Sequence, residues 1–159
     1  MIWNIRRAIL EDADAIGQVH YRTHVETYTG HFPPEVIEGN PPERRARMWR
    51  RIIGEQLGDV WVAVMNEAIV GFASTRRPLD ENPPRDLELS TIYLLAGHHG
   101  SGLGQSLLDA VLGNRPASLW ALNENPRAIA FYRKNGFVVD GVERFDPNHG
   151  DVREIRLVR

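Results

Sequence analysis

His99-Gly100-Ser101-Gly102-Leu103-Gly104 separates a β-prone run, Leu87 to Leu95, from an apolar helical face made of Leu103, Leu107, Leu108, Val111 and Leu112. Gly97 adds a further glycine, and no acidic residue occurs from Ala96 through Leu108. The first turn of a helix carries backbone N–H groups without intrahelical acceptors and a partial positive charge. Glycines clear away the side chains that would keep a diphosphate from those groups. Two familiar phosphate motifs fail on spacing. A P-loop needs Gly-Lys-Ser/Thr, but Leu103 follows Gly102; the dinucleotide fingerprint needs Gly-x-Gly-x-x-Gly, but here the spacing is Gly100-x-Gly102-x-Gly104. Taken alone, the cluster reads as a tight strand-to-helix turn before it reads as an anion site.

The elements around this turn follow from periodicity. Ile2 to Arg6 alternates as a strand does, and Asp12 starts a helix with Ile16, Val19 and Thr23 at helical spacing, closed by Gly30. His31-Phe32-Pro33-Pro34 is a turn, followed by a short apolar piece, Val36-Ile37. Asn40-Pro41-Pro42 opens a second helix with the apolar face Met48, Trp49, Ile52, Ile53 and Leu57. Its arginines (Arg44, Arg45, Arg47, Arg50, Arg51) read as a solvated face. Val60 to Met65 and Ala68 to Thr75 form a hairpin about Asn66-Glu67, and the proline-rich segment Arg76 to Arg85 is an exposed loop. In the next strand, alternation puts Leu87, Leu89, Thr91, Tyr93 and Leu95 on one face and Glu88, Ser90, Ile92 and Leu94 on the other. After the glycine-rich turn and its helix come a strand (Ser118 to Leu122), a helix (Asn125 to Lys134) and two closing strands (Phe137 to Val139, Val152 to Val158). The order is β-α-α-β-β-β-α-β-α-β-β, an α/β chain with one mixed sheet and helices on its faces.

The chain has 159 residues, 42% apolar and 25% charged, which predicts one domain over residues 1–159. A formal net charge of −2 gives no bulk attraction to nucleic acid or to an acidic membrane. The absence of cysteine excludes disulfides, thiolate metal sites and a cysteine nucleophile. No signal peptide is evident, and no stretch approaches the roughly 20 apolar residues of a membrane span. The expectation is a cytoplasmic protein that binds no metal.

A second segment reads Asn125-Pro126-Arg127-Ala128-Ile129-Ala130-Phe131-Tyr132-Arg133-Lys134-Asn135-Gly136-Phe137. In isolation it is an amphipathic helix with a glycine stop, and Tyr132 is a packing residue. The two segments together, in this order, resemble the GCN5-related N-acetyltransferase (GNAT) superfamily. That family carries Arg/Gln-x-x-Gly-x-Gly/Ala after its fourth strand and Asn-x-x-Ala-x-x-x-Tyr-x-x-x-Gly-Phe near its end. Asn125, Ala128, Tyr132, Gly136 and Phe137 complete the second motif, and Gly102 and Gly104 match the first. His99 stands where the family usually has Arg or Gln. Tyr28 to Pro33, Met48-Trp49 and Glu88 to Leu94 resemble a bacterial branch of small-molecule or polyamine acetyltransferases.

The resemblance implies the GNAT acyl-CoA N-acyltransferase fold and acetyl-CoA as cosubstrate. Its pyrophosphate would lie on His99, Gly100, Ser101, Gly102, Leu103, Gly104 and Gln105. Its pantetheine arm would lie against Ile92, Tyr93 and Leu94 where the fourth and fifth strands splay, with Asn125 contacting the same arm. Tyr132 would bind the sulfur and protonate the leaving thiolate. An alkyl ammonium, with a pKa of about 10.4, must lose a proton before it attacks. Glu88 is the candidate base, with His20 and His24 behind it. The acceptor is a primary amine of a small molecule or peptide, chosen by Thr29 to Asn40 and by the turn Asp146 to Asp151. A homodimer through the closing strands is a further expectation. Two other classes remain open: a non-catalytic acyl-CoA-binding module, and an interaction domain without a nucleotide site.

Overall fold

A computed structural model describes residues 2–146 and 151–159. Its elements, in chain order, are β1 (Trp3–Arg7), α1 (Ala13–Tyr28), α2 (Pro34–Glu38), α3 (Pro42–Gly54), β2 (Asp59–Met65), β3 (Ala68–Arg76), β4 (Glu88–Leu94), α4 (Leu103–Val111), β5 (Ser118–Leu122), α5 (Pro126–Lys134), β6 (Val138–Asp146) and β7 (Val152–Val158). Short 3-10 turns precede α1 and α4. The order matches the periodicity with one addition, the five-residue helix α2. Pro34 occupies its first turn, where a missing N–H costs nothing.

The described strands form one sheet in the order β1-β2-β3-β4-β5-β7-β6. β2 and β3 are a tight hairpin, and both turn residues, Asn66 (φ 48°) and Glu67 (φ 70°), adopt the left-handed backbone that matches strand twist. β4 and β5 run parallel and share one register pair, Glu88 with Ser118; the Ser118 N–H donates to the Leu87 carbonyl at 3.0 Å. Beyond that pair the two strands part.

α1, with α3 packed against it, covers one face of β3 and β4, and α4 covers the other. Phe72 marks the first face by meeting the rings of Trp49 (5.2 Å) and His20 (5.4 Å). The neighbouring Gly71 marks the second, beside Leu107. The core between them includes the fully buried Trp49, Phe72, Leu107, Leu108 and Phe137. A smaller apolar cluster, Phe32, Ile37 and Leu122, seats α2 on the end of β5.

Four of the five α3 arginines are exposed as their pattern predicts, but Arg45 turns inward and is only 3% exposed. The helix pair crosses closely because Gly17 lacks a side chain. A Cβ there would come within 2.7 Å of the Pro42 carbonyl oxygen and 2.8 Å of the Ala46 nitrogen. Both are backbone atoms that cannot step aside. Gly17→Ala is therefore expected to destabilise the fold by about 1–3 kcal/mol, read as a lower midpoint in urea denaturation with an unchanged slope.

Candidate active site

Strand β4 departs from simple alternation. One step along β3, from Ser74 to Thr75, faces two along β4, from Thr91 to Leu89. Ser90 is the extra residue, a β-bulge, and it reverses the phase of every side chain beyond it. Glu88 thus shares a face with Thr91 and Tyr93, not with Ile92 and Leu94 as unbroken alternation predicts. Side-chain contacts agree. Ser74 and Thr91 hydroxyls meet at 2.7 Å, and Phe72 lies 5.7 Å from the Tyr93 ring, all on the α1–α3 side. Leu94 packs beside Gly71 on the α4 side. Beyond the Glu88–Ser118 pair β4 and β5 share no register, and the backbone of Ile92 and Leu94 borders the gap on the side away from β3.

The glycine-rich turn lies at the end of this gap. Gly100 (φ 79°) and Gly102 (φ 89°) take backbone conformations that other residues resist, and Gly102 sits immediately before α4. A Cβ on Gly97, Gly100, Gly102 or Gly104 would project into open space. Conformation thus calls for glycine at positions 100 and 102, and packing calls for it at none of the four. The Leu103 N–H is met by the Ser101 hydroxyl at 3.3 Å, and Ser101 is itself anchored to the His98 carbonyl. Among the described residues, no protein acceptor meets the N–H of Gly102, Gly104 or Gln105. Glu26 of α1 accepts from the Ala96 N–H at 2.7 Å and ties the turn to the helix layer.

His99 does not present a free imidazole. Its Nε2 lies 2.8 Å from the Leu94 carbonyl, which only accepts, so Nε2 carries the proton. Nδ1 is then an acceptor, and the Arg127 guanidinium donates to it. Arg127, in the first turn of α5, brings to the turn the positive charge that His99 lacks. The sequence placed Arg127 inside the second motif, but only the approach of α5 to the turn reveals its role. The Gln105 side chain bonds Asp109 and Asn135, linking α4 to the end of α5, which leaves its backbone N–H facing the turn. Asn125 likewise spends its Oδ1 on capping α5, accepting from the Ala128 N–H at 3.2 Å.

Glu88 is 2% exposed. Its Oε2 accepts from Arg76 Nε at 2.8 Å, while Oε1 is buried and meets no donor among the described residues. Burial pushes this carboxyl above the usual glutamate range, and the Arg76 cation only partly opposes it. The adjacent Ser118 hydroxyl is also buried without a partner among the described residues. Polar atoms in that condition are normally satisfied by bound water.

Tyr132 packs on Phe131 and Phe137, and its phenol interacts with Tyr28. The Tyr28 and Tyr93 phenols also influence each other's acidity. Burial raises all three phenols above their ordinary value, so each stays a hydrogen-bond donor. Glu88 and Tyr132 are not brought together directly. Five strand positions, roughly 16 Å of chain, separate Glu88 from Tyr93. Glu154 of β7, paired with Arg144 at 2.9 Å, lies nearer, its charge reaching Tyr28. No pattern in the sequence distinguishes it from other strand carboxylates.

His20 and His24 are buried in an aromatic cluster with Trp49 and Tyr93. Trp49 Nε1 donates to His20 Nδ1 at 3.0 Å, and His24 Nδ1 lies 3.1 Å from the His20 carbonyl. Among the described residues, no group of three side chains is arranged to hold a metal, and no helix is long and apolar enough to cross a membrane. Residues 147–150 of the expected acceptor turn lie outside the described residues. A groove of about 610 Å³, lined by Arg7, Arg76, Arg77 and Arg115, lies at the other end of β4 and is not part of this site.

The domain model described as "Acetyltransferase (GNAT) domain" matches residues 56–139. An uncharacterized N-acetyltransferase of Mycobacterium tuberculosis is 39% identical over 85 residues, 48% of this chain and 51% of that one. The chain thus spans about half the length of the curated relatives it matches. A second M. tuberculosis protein named as an N-acetyltransferase is 24% identical over 142 residues, covering 86% and 80% of the two chains. The crystal structure of PaiA N-acetyltransferase from Thermoplasma acidophilum, in complex with coenzyme A, superposes over 100% of both chains with a TM-score of 0.72 at 21% identity. The chain belongs to the GNAT acetyltransferase family.

The raised pKa of Glu88 has a definite sign. The folded state holds that proton more tightly than the unfolded chain, so its stabilising share is complete below the ordinary glutamate pKa and is lost as pH rises through the folded value. Glu88→Gln removes a buried charge and keeps the shape. Its melting temperature at pH 7 is expected to exceed that of the unsubstituted protein, and the difference should shrink as pH falls toward 4.

Proposed function

We propose that this member of the GNAT family transfers an acetyl group from acetyl-CoA to a primary amine of a small molecule or peptide by direct attack. The observation that carries the reading is the row of unmatched N–H groups at the head of α4, opening onto the gap between β4 and β5. Such a row suits a diphosphate. Gly102, Gly104 and Gln105 supply backbone donors, and Arg127, held by His99, supplies the cation. Backbone groups of Ile92 and Leu94, on the free side of β4, pair with the pantetheine arm and polarise the acyl carbonyl. When bound, acetyl-CoA supplies the activated acetyl group and a thiolate leaving group.

The amine loses one proton before it attacks and a second, which passes directly or through water to the departing thiolate, as the new C–N bond forms and the C–S bond breaks. Glu88 takes the first, and the separation from Tyr93 requires a water between them; Glu88 Oε1 and the Ser118 hydroxyl are the groups that would hold it. Tyr132 donates to the departing sulfur. Because burial holds its phenol above a thiol's pKa of about 8.5, its chief contribution is the hydrogen bond and not complete proton transfer. The exposed apolar residues of β6, Val138, Val142 and Phe145, provide a surface for a second copy of the chain.

Release of free thiol from acetyl-CoA with a panel of amines tests transfer and separates it from a binding module that retains the fold. Tyr132→Phe is expected to lower turnover by about 10²-fold while calorimetry finds the acetyl-CoA Kd little changed; equal turnover would remove Tyr132 from the mechanism. Arg127→Ala should do the reverse, weakening acetyl-CoA binding by about tenfold in the same titration.

A further inference from the structure

Arg45 is a buried cation without a counter-ion. It lies on α3 with 3% exposure, on the inward face that also carries Trp49. Its Nε donates to the Asn40 carbonyl at 2.7 Å. Among the described residues it makes no other hydrogen bond and no ion pair. Residues 147–150 are Pro147, Asn148, His149 and Gly150, so they add no carboxylate. The groups that act on it electrostatically are Tyr93 and Tyr21, both neutral phenols. Burial pulls the guanidinium below its ordinary value, although it stays charged at neutral pH. A guanidinium this shielded, with a carbonyl as its one partner among the described residues, lowers the stability of the free protein.

Its place in the fold gives the anomaly a use. Tyr93 stands on β4 at the border of the gap, on the face away from α4, and Tyr21 belongs to the apolar cluster of Phe32, Ile37 and Leu122. Tyr28 stacks on Phe32 at 4.4 Å along the same side. The carboxylates Glu88 and Glu154 line that face too, each paired to an arginine. This side of the sheet therefore carries a cation with no carboxylate partner among the described residues, and carboxylates that are already paired.

We propose that Arg45 binds the carboxylate of the amine acceptor, which makes the acceptor an amino acid-like molecule with a primary amine and a carboxylate. A guanidinium fork matches a carboxylate with two parallel hydrogen bonds. A single positive charge balances a monoanion, whereas a phosphate monoester carries about −1.5 to −2 and would leave excess charge buried. The fate of the amine rests on the acetyl-transfer reading; the binding of the carboxylate does not.

The test is a thermal shift of the purified protein, without acetyl-CoA, against each of the proteinogenic L-amino acids, their α-carboxamides and O-phosphoethanolamine. At least one free amino acid is expected to raise the melting temperature, with its carboxamide binding at least about tenfold more weakly. Arg45→Met should abolish the shift yet melt, unliganded, at or above the unsubstituted protein; Arg45→Lys should retain folding and lose most of the affinity. The proposal is overturned if no free amino acid outperforms its carboxamide, if O-phosphoethanolamine alone binds, or if Arg45→Met still binds. It is also overturned if Arg45→Met melts well below the unsubstituted protein, which would make Arg45 a structural residue. An amino acid that binds but releases no thiol from acetyl-CoA would sink the transfer reading and leave this one standing. Amines without a carboxylate that are acetylated as fast as amino acids would do the opposite.

Discussion

Between Glu88 and Ser118 the two halves of the sheet share a single register pair, and above it they separate. Most of the site depends on that restriction. A continuous ladder from β4 to β5 would satisfy the strand backbone and leave nowhere for an extended ligand to lie. The bulge at Ser90 lies just above that pair and absorbs one residue of register between β3 and β4. It also decides which side chains meet. Without it Glu88 would face α4; with it, Glu88 stands on the α1–α3 side with Tyr93. The pairing, the bulge and the placement of the carboxylate are one constraint seen at three positions.

The polar interior follows the same geography. Glu88, Arg45, His20 and His24 are all buried, and all lie on the side of the sheet covered by α1 and α3. The α4 side is filled by Leu103, Leu107, Leu108 and Val111. One face of the sheet is thus built for packing, while the other holds charges and phenols whose burial costs stability. Local conflict of this kind is expected where a site is being held. The close crossing of α1 and α3 at Gly17 gives those groups a rigid cover.

The elements themselves were legible because their signals are local. The Asn66-Glu67 turn, the proline starts of α3 and α5 and the glycine stop after α5 each depend on a few adjacent residues. The two motifs were legible as patterns, and their order identified the family before any contact was known. The face of Glu88 was not legible, since an extra strand residue leaves the alternation of Leu87, Leu89, Thr91, Tyr93 and Leu95 unbroken on paper. Nor was the state of His99, which depends on a carbonyl five residues back and on an arginine 28 residues ahead. Arg45 was hidden by company: among five arginines on one short helix, charge alone does not say which one turns inward. The local capping role of Asn125 competes with the ligand role that its motif suggests, and composition cannot weigh the two.

The parted strands also have a colloidal side. β4 above Ser90 and β5 beyond Ser118 each face the gap with backbone groups that have no neighbouring strand. In most sheets such groups occur only at the outer edges, where they invite pairing with other chains. Here they lie in the middle of the sheet. A ligand seated in the gap would act as a missing strand as well as a reactant. Solubility and shelf life would then follow ligand supply, and the empty protein would be the form most prone to self-association.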